Sequence, residues 1–113
     1  MNDLATKHCK PCEGGVDPLS RAAAEALLPQ LGDNWQLSDD GKKILARFKF
    51  ANYYRTTAFV NAVAWIAHIE DHHPDIQFGF NNAEVSYWTH AIDGLSENDF
   101  ICAAKVDKLL ADG

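Results

Sequence analysis

The spacing of apolar positions is most regular in the middle of the chain. From Asn52, a residue able to cap a helix, to His73-Pro74, apolar side chains recur every three or four residues, as on one face of an α-helix. This face is made by Phe59, Ala62, Val63, Ile66 and Ala67. Because proline disfavours helical backbone in the residue before it, we predict that this central helix ends at His73-Pro74, with His72 still in its last turn.

Two shorter helices are predicted on either side of the central one. The first begins at Asp17 or Ser20, either of which can cap it, and stops between residues 29 and 32, where proline and glycine occur. The last follows Ser96-x-x-Asp99, which resembles a capping box, and continues through Leu110. The chain therefore carries three helices.

Between the helices, apolar and polar residues alternate, which is the pattern of strands with one buried face. Turn residues divide these stretches into two hairpins: Ser38 to Gly41 contains an Asp-Gly pair, and Asn81-Asn82 is a polar turn. The four predicted strands span residues 35–37, 43–50, 76–80 and 84–90.

The resulting order is α-β-β-α-β-β-α, which indicates an α+β fold. Two hairpins separated by a helix favour a four-stranded, mostly antiparallel sheet with the helices packed on one face. A length of 113 residues with 47% apolar residues fits one such domain, which we place at residues 17–113. Residues 1–16 show little periodicity and are predicted to be a flexible N-terminal arm.

The overall charge limits the partners that we expect. The net charge of -6, from 10 Lys and Arg against 16 Asp and Glu, opposes binding to nucleic acid and to anionic membranes. The first ten residues hold no apolar run resembling a signal peptide, and no later stretch approaches the roughly 18 apolar residues of a membrane span. The sequence therefore predicts a cytoplasmic protein that binds neither nucleic acid nor membrane.

Five histidines are the main candidates for chemistry, and three of them, His68, His72 and His73, cluster at the end of the central helix. With His72 in the last helical turn and His73 in extended backbone, the two imidazoles should diverge and address opposite sides of a flat ligand. Imidazole changes its charge near neutral pH, so these groups suit proton transfer. The alternative is that they only stabilise the negative end of the helix dipole.

The last strand adds a second candidate group, because Trp88 and His90 should share one face with Glu84 and Ser86. An indole beside an imidazole makes a plausible wall for an aromatic heterocycle. Here too a simple structural interpretation stays open, with His90 as a surface residue at a strand end.

These residues together resemble a known family. His68-Ile69-Glu70-Asp71-His72-His73-Pro74, followed by Phe80, His90 and Asp99, is similar to the signature of the pterin-4a-carbinolamine dehydratases, with the same spacing. The resemblance extends from about Trp35 to Asp107. It implies a dehydratase that assembles as a homodimer or homotetramer, converts a 4a-hydroxytetrahydropterin to the quinonoid dihydropterin, and thereby recycles the cofactor of aromatic amino-acid hydroxylases.

The resemblance also implies a set of site residues. We expect His72 to be the principal acid or base, His90 the second proton-transfer group, and His73 chiefly a binding residue, with neither a metal nor another cofactor. The candidates for substrate binding are Trp35, His68, Trp88 and Asp99. His68 stands where many family members have a glutamate. For Trp35 the alternative is a place in the core, and for Asp99 it is a role as a helix cap only.

Two other functions are also compatible with the sequence. His68 and His72 are four residues apart on one predicted helical face and, with His90, suit a metal-dependent enzyme. However, Ile69 stands where a zincin helix has glutamate. Some family members bind the dimerisation helix of a transcription factor, which makes a coactivator the second alternative.

The three cysteines do not indicate a disulfide framework. Cys9 and Cys12 form a lone C-x-x-C, which we interpret as flexible and redox-sensitive, and Cys102 belongs to the apolar stripe of the last helix.

Overall fold

The computed structural model describes residues 4–11 and 17–112. Its regular elements follow the predicted order α-β-β-α-β-β-α, with short 3-10 turns at Leu4–Thr6, Leu28–Gln30 and His90–Ile92. The elements are α1 (Arg21–Leu27), β1 (Trp35–Leu37), β2 (Ile44–Lys49), α2 (Tyr53–Glu70), β3 (Asp75–Phe78), β4 (Asn82–Tyr87) and α3 (Glu97–Asp112).

The four strands form one antiparallel sheet in the order β1-β2-β4-β3. The inner face of its central pair carries alternate residues, as the period of two requires, and all of them are buried. They are Ile44, Ala46 and Phe48 on β2, and Ala83, Val85 and Tyr87 on β4. The predicted α+β fold with helices packed on one sheet face is thus confirmed.

The helices close the core over this face. From α2, Phe59 and Val63 reach the sheet, and the Phe59 ring lies 5.1 Å from that of Phe48. From α3, Phe100 and Val106 are fully buried in the same core. None of the helices in the described parts of the chain is long and apolar enough to cross a membrane.

The central helix begins where predicted but ends earlier. The side chain of Asn52 accepts a hydrogen bond from the Arg55 amide at 2.9 Å, which is the expected cap. At the other end, Asp71 adopts left-handed backbone with φ 51°, and the amides of Asp71 and His72 both donate to the Ala67 carbonyl. This Schellman-type closure stops the helix at Glu70, so the predicted placement of His72 in the last turn is wrong.

The second hairpin also differs in its limits. Its turn comprises residues 79–81 instead of the predicted 81–82, because β3 ends at Phe78 and Asn82 already belongs to β4. Across this turn the Gly79 amide donates to the Asn82 carbonyl. The strand stops at Tyr87 instead of continuing to His90, since Thr89 pairs with Gly94 and His90 opens a 3-10 turn. From Tyr87 to His90, buried residues nevertheless still alternate with more exposed ones, as predicted.

Residues 4–11 lie against α2 and α3. Leu4 is buried in the core, and the Lys105 ammonium donates to the Ala5 carbonyl at 2.8 Å. The buried Glu70 carboxylate accepts the Cys9 amide at 2.7 Å and pairs with His8 at 2.9 Å. This part of the predicted arm therefore has fixed partners. Cys12 and the remainder of the arm lie outside the described residues, and the domain limit at residue 16 stays a prediction.

The buried carboxylate of Glu70, where residues 4–11 contact α2, should make the stability of the protein depend on pH. Burial opposes ionisation of Glu70, but the bonds from Cys9 and His8 and the charge of Lys105 outweigh it, so the pKa of Glu70 lies below its ordinary value. A lowered pKa contributes stability that is complete above the ordinary value of about 4.3 and is lost as the pH falls through the folded-state value.

We therefore predict that Glu70→Gln destabilises the protein at neutral pH and that its difference from the wild type shrinks below about pH 4. Urea denaturation at several pH values measures this. Glu25→Gln, at an exposed ion pair with Arg21, is the matched control and should change little at any pH. A difference for Glu70→Gln that does not vary with pH would contradict the prediction.

Candidate functional site

The centre of the site is a buried pair of imidazole and carboxylate. Nε2 of His72 lies 2.6 Å from Oδ1 of Asp99, and the two residues are 7% and 0% exposed. An imidazole held by a carboxylate has a fixed orientation and a fixed tautomer. The ring of His72 also lies parallel to that of Tyr87, with 6.1 Å between centroids.

Three elements meet at the Asp99 carboxylate. Its second oxygen, Oδ2, accepts the Thr89 hydroxyl and the Ser96 amide, each at 2.9 Å. The bond from the Ser96 amide is one of the two bonds of a capping box. In that bond, the side chain of the third helical residue accepts from the amide of the residue that caps the helix. Asp99 therefore both caps α3 and holds His72, two roles that the sequence had left as alternatives.

Two exposed histidines lie next to this pair. The rings of His73 and His90 are 5.1 Å apart, and the ring of Trp88 lies 4.1 Å from that of His90. The ammonium of Lys43 sits over the Trp88 ring at 4.3 Å, a cation-π contact. His72 faces inward to Asp99, and His73 lies beside His90 in the turn after β4, so the two neighbouring imidazoles make different contacts. That they address opposite sides of a flat ligand stays a prediction.

The three histidines line one small cleft together with Asp71, Thr89 and Ala91. Its volume is about 140 Å³. Since pockets for whole ligands usually enclose roughly 300–1,000 Å³, this cleft suits one edge of a flat ring system rather than a complete ligand. A larger cavity of about 640 Å³ lies at the opposite end of β4, around Arg47 and Asn82, and none of the predicted site residues lines it.

Of the predicted residues that do not line the cleft, Trp88 and Asp99 contact its histidines, whereas Trp35 and His68 do not. Trp35 is 4% exposed, packs against Phe48 and Tyr87, and donates from Nε1 to Asp107 at 2.8 Å, so it belongs to the core. His68 lies on the exposed side of α2, with its ring 5.1 Å from that of Trp65.

The alternative of a metal site assumed that His68 and His72 share one helical face. That assumption is wrong, because α2 ends at Glu70 and Asp71 turns the chain before His72. Within residues 4–11 and 17–112, no group of three His, Cys, Asp or Glu side chains is arranged to hold a metal ion.

Sequence reasoning missed two residues that support the site. Thr89 is buried and its hydroxyl bridges Asp99 and Ser96, the latter at 2.7 Å. Tyr87 supplies the ring that stacks on His72. The alternation along the last strand places both residues on its inner face, and this was the sign of their burial in the sequence. A single sequence does not show which groups they contact there.

Fold and cleft together define a small α+β protein with a histidine-lined site at one end of its sheet. A family model described as pterin 4 alpha carbinolamine dehydratase matches residues 17–109. The chain therefore belongs to the pterin-4-alpha-carbinolamine dehydratase family.

Individual relatives agree with this assignment. A protein of Nitrosomonas eutropha is 64% identical over 108 residues, which are 96% of this chain and 94% of that protein. A protein of Legionella pneumophila is 52% identical over 111 residues, 98% of each chain. Both carry pterin-4-alpha-carbinolamine dehydratase as a provisional name.

Solved structures extend the likeness to the fold. A protein of Brucella melitensis described as a transcriptional coactivator/pterin dehydratase is 29% identical, with a TM-score of 0.77 over 82% of this chain and 98% of that one. A pterin dehydratase-like protein described as a RuBisCO assembly factor in the alpha-carboxysome is 27% identical, with a TM-score of 0.59 over 67% and 88%.

The three bonds to Asp99 lead to a stability prediction. Asp99→Asn should lower the free energy of unfolding by about 1–3 kcal/mol, because one oxygen of the carboxylate is replaced by an NH₂ group that faces buried donors. Urea denaturation measures the loss. Asp33→Asn, at an exposed position, is the matched control and should remain within about 0.5 kcal/mol of the wild type. Equal stability of the two variants would show that the carboxylate is not needed.

Proposed function

We propose that this protein removes water from a 4a-hydroxytetrahydropterin by general acid and base catalysis in the histidine cleft. The observation that carries the proposal is the buried His72–Asp99 pair beside the exposed rings of His73 and His90. Membership of the dehydratase family supports the class of substrate.

The reaction needs two proton transfers. The C4a–O bond breaks with its electron pair on oxygen, an acid protonates the departing hydroxide to give water, and a base accepts the proton from N5 of the pterin. The product is the quinonoid dihydropterin, so electrons balance without an oxidant. Each positioned proton-transfer group contributes typically 10²–10⁴-fold to the rate.

The contacts of the cleft support a division of roles. His72 is the principal acid or base, because Asp99 holds its ring in one orientation. His90 is the second proton-transfer group. His73 binds and orients the ligand, and the half-buried Trp88 offers its indole as a flat wall next to His90.

The proposed biological role follows from the product. A quinonoid dihydropterin formed in this way returns to the cofactor pool of aromatic amino-acid hydroxylases. We propose that the enzyme acts in the cytoplasm as a homodimer or homotetramer, without a metal or another cofactor and without binding nucleic acid.

A stopped-flow assay tests the activity directly by following the loss of 4a-hydroxypterin absorbance with and without the protein. Acceleration that survives treatment with a chelator supports the proposal. Acceleration that is lost on chelation and restored by zinc would replace it with a metal-dependent mechanism. A protein that captures a transcription-factor helix in a pull-down but does not accelerate the reaction would instead be a coactivator.

In this assay we expect His72→Ala to lower the catalysed rate by at least about 10²-fold, because a positioned proton donor or acceptor is lost. Circular dichroism checks that the fold is retained. His8→Ala, at an exposed histidine outside the cleft, is the control and should keep the wild-type rate. A folded His72→Ala protein with normal activity would remove His72 from the mechanism.

Substitutions of the two exposed histidines, His73 and His90, should change different kinetic constants. His90→Ala should reduce kcat and kcat/KM together, because His90 meets charge that develops only as hydroxide leaves. His73→Ala should chiefly raise KM, because a contact made equally in ground and transition states affects binding alone.

Steady-state kinetics on both variants decides this point, with product affinity measured separately by fluorescence titration. The opposite pattern would mean that the two residues exchange roles.

A further inference from the structure

Two thiols approach each other outside the histidine cleft. Sγ of Cys9 lies 3.5 Å from Sγ of Cys102, and it also lies 3.6 Å from the Asn98 carbonyl. Cys9 is half-buried, whereas Cys102 is 0% exposed inside α3. The sulfur of Cys9 thus lies between the surface and a thiol in the core.

Backbone bonds on both sides hold Cys9 in this place. Its own amide donates to Glu70 at 2.7 Å. The next residue, Lys10, exchanges two bonds with the Asn98 side chain: its amide donates at 3.0 Å and its carbonyl accepts at 2.7 Å. Because Asn98 lies one turn before Cys102 on α3, the same contacts that fix Cys9 also align it with Cys102.

We propose that Cys9 and Cys102 are an oxidisable dithiol, which peroxide converts to a reversible disulfide that links the N-terminal segment to α3. The separation of the two sulfurs supports this, since they need to approach by only about 1.5 Å to reach the 2.05 Å bond length of a disulfide.

The chemistry assigns different parts to the two thiols. The half-buried Cys9 reacts with a hydroperoxide, whose O–O bond breaks to give a sulfenic acid on Cys9 and an alcohol or water. The Cys102 sulfur then attacks the sulfenic sulfur, the S–O bond breaks, and water leaves. The bond with Cys9 and burial raise the pKa of Cys102, so this thiol is protonated and its proton leaves with the hydroxyl group as water.

The disulfide would have a measurable effect on stability. It joins positions 93 residues apart and therefore restricts most of the unfolded chain. We expect the melting temperature of the oxidised protein to rise by at least about 5 °C, reversed by dithiothreitol.

Cys12 offers a competing partner for Cys9, through the C-x-x-C spacing. The test therefore uses Cys12→Ser, which leaves only the two thiols of the proposal. After treatment with hydrogen peroxide, we expect a mass lower by two hydrogens, a Cys9–Cys102 linked peptide in mass spectrometry, and the higher melting temperature. The wild type should give the same linked peptide.

Cys102→Ala is the matched negative variant, since it should retain the fold but form no bond to α3. A wild type that yields only a Cys9–Cys12 link would overturn the proposal. So would a Cys12→Ser protein that ends as sulfinic acid on Cys9 without a link. The outcome does not depend on the proposed dehydratase activity, because each readout is made on the chain itself.

Discussion

The buried carboxylate of Asp99 is the interaction on which the site depends. It joins the start of α3, the turn after β4 and the segment after α2, because His72, Thr89 and Ser96 all bond to it. A carboxylate without exposure to water is costly unless its oxygens are fully bonded, and these three partners satisfy it. The bonds that this buried carboxylate requires therefore also hold His72, the imidazole that we propose for catalysis, in its place.

The fold was predictable because local patterns and long-range packing agree. The three-to-four spacing of α2 and the alternation of β2 each mark the face that later meets the core, and Asp-Gly marks the first hairpin, where Gly41 has φ 72°. The cluster of His72, His73 and His90 could also be predicted, through spacing that resembles a known family.

The remaining features depend on contacts that a single sequence does not display. The helix ends at Glu70 because Asp71 adopts left-handed backbone, which proline at position 74 does not require. Trp35 packs in the core against Phe48 and Tyr87, and Asp107, 72 residues away in the chain, accepts its indole N–H. The fixed position of residues 4–11 likewise results from tertiary partners such as Glu70, whereas the local composition of the segment resembles a flexible arm.

The bond between His72 and Asp99 also constrains the order of folding. Its partners are 27 residues apart, and the whole β3–β4 hairpin lies between them. Closing such a contact costs chain entropy that only the packed hairpin and α3 can compensate. A partly folded chain with the correct helices still lacks the paired imidazole, so the cleft that we propose for catalysis is complete only in the cooperative native state.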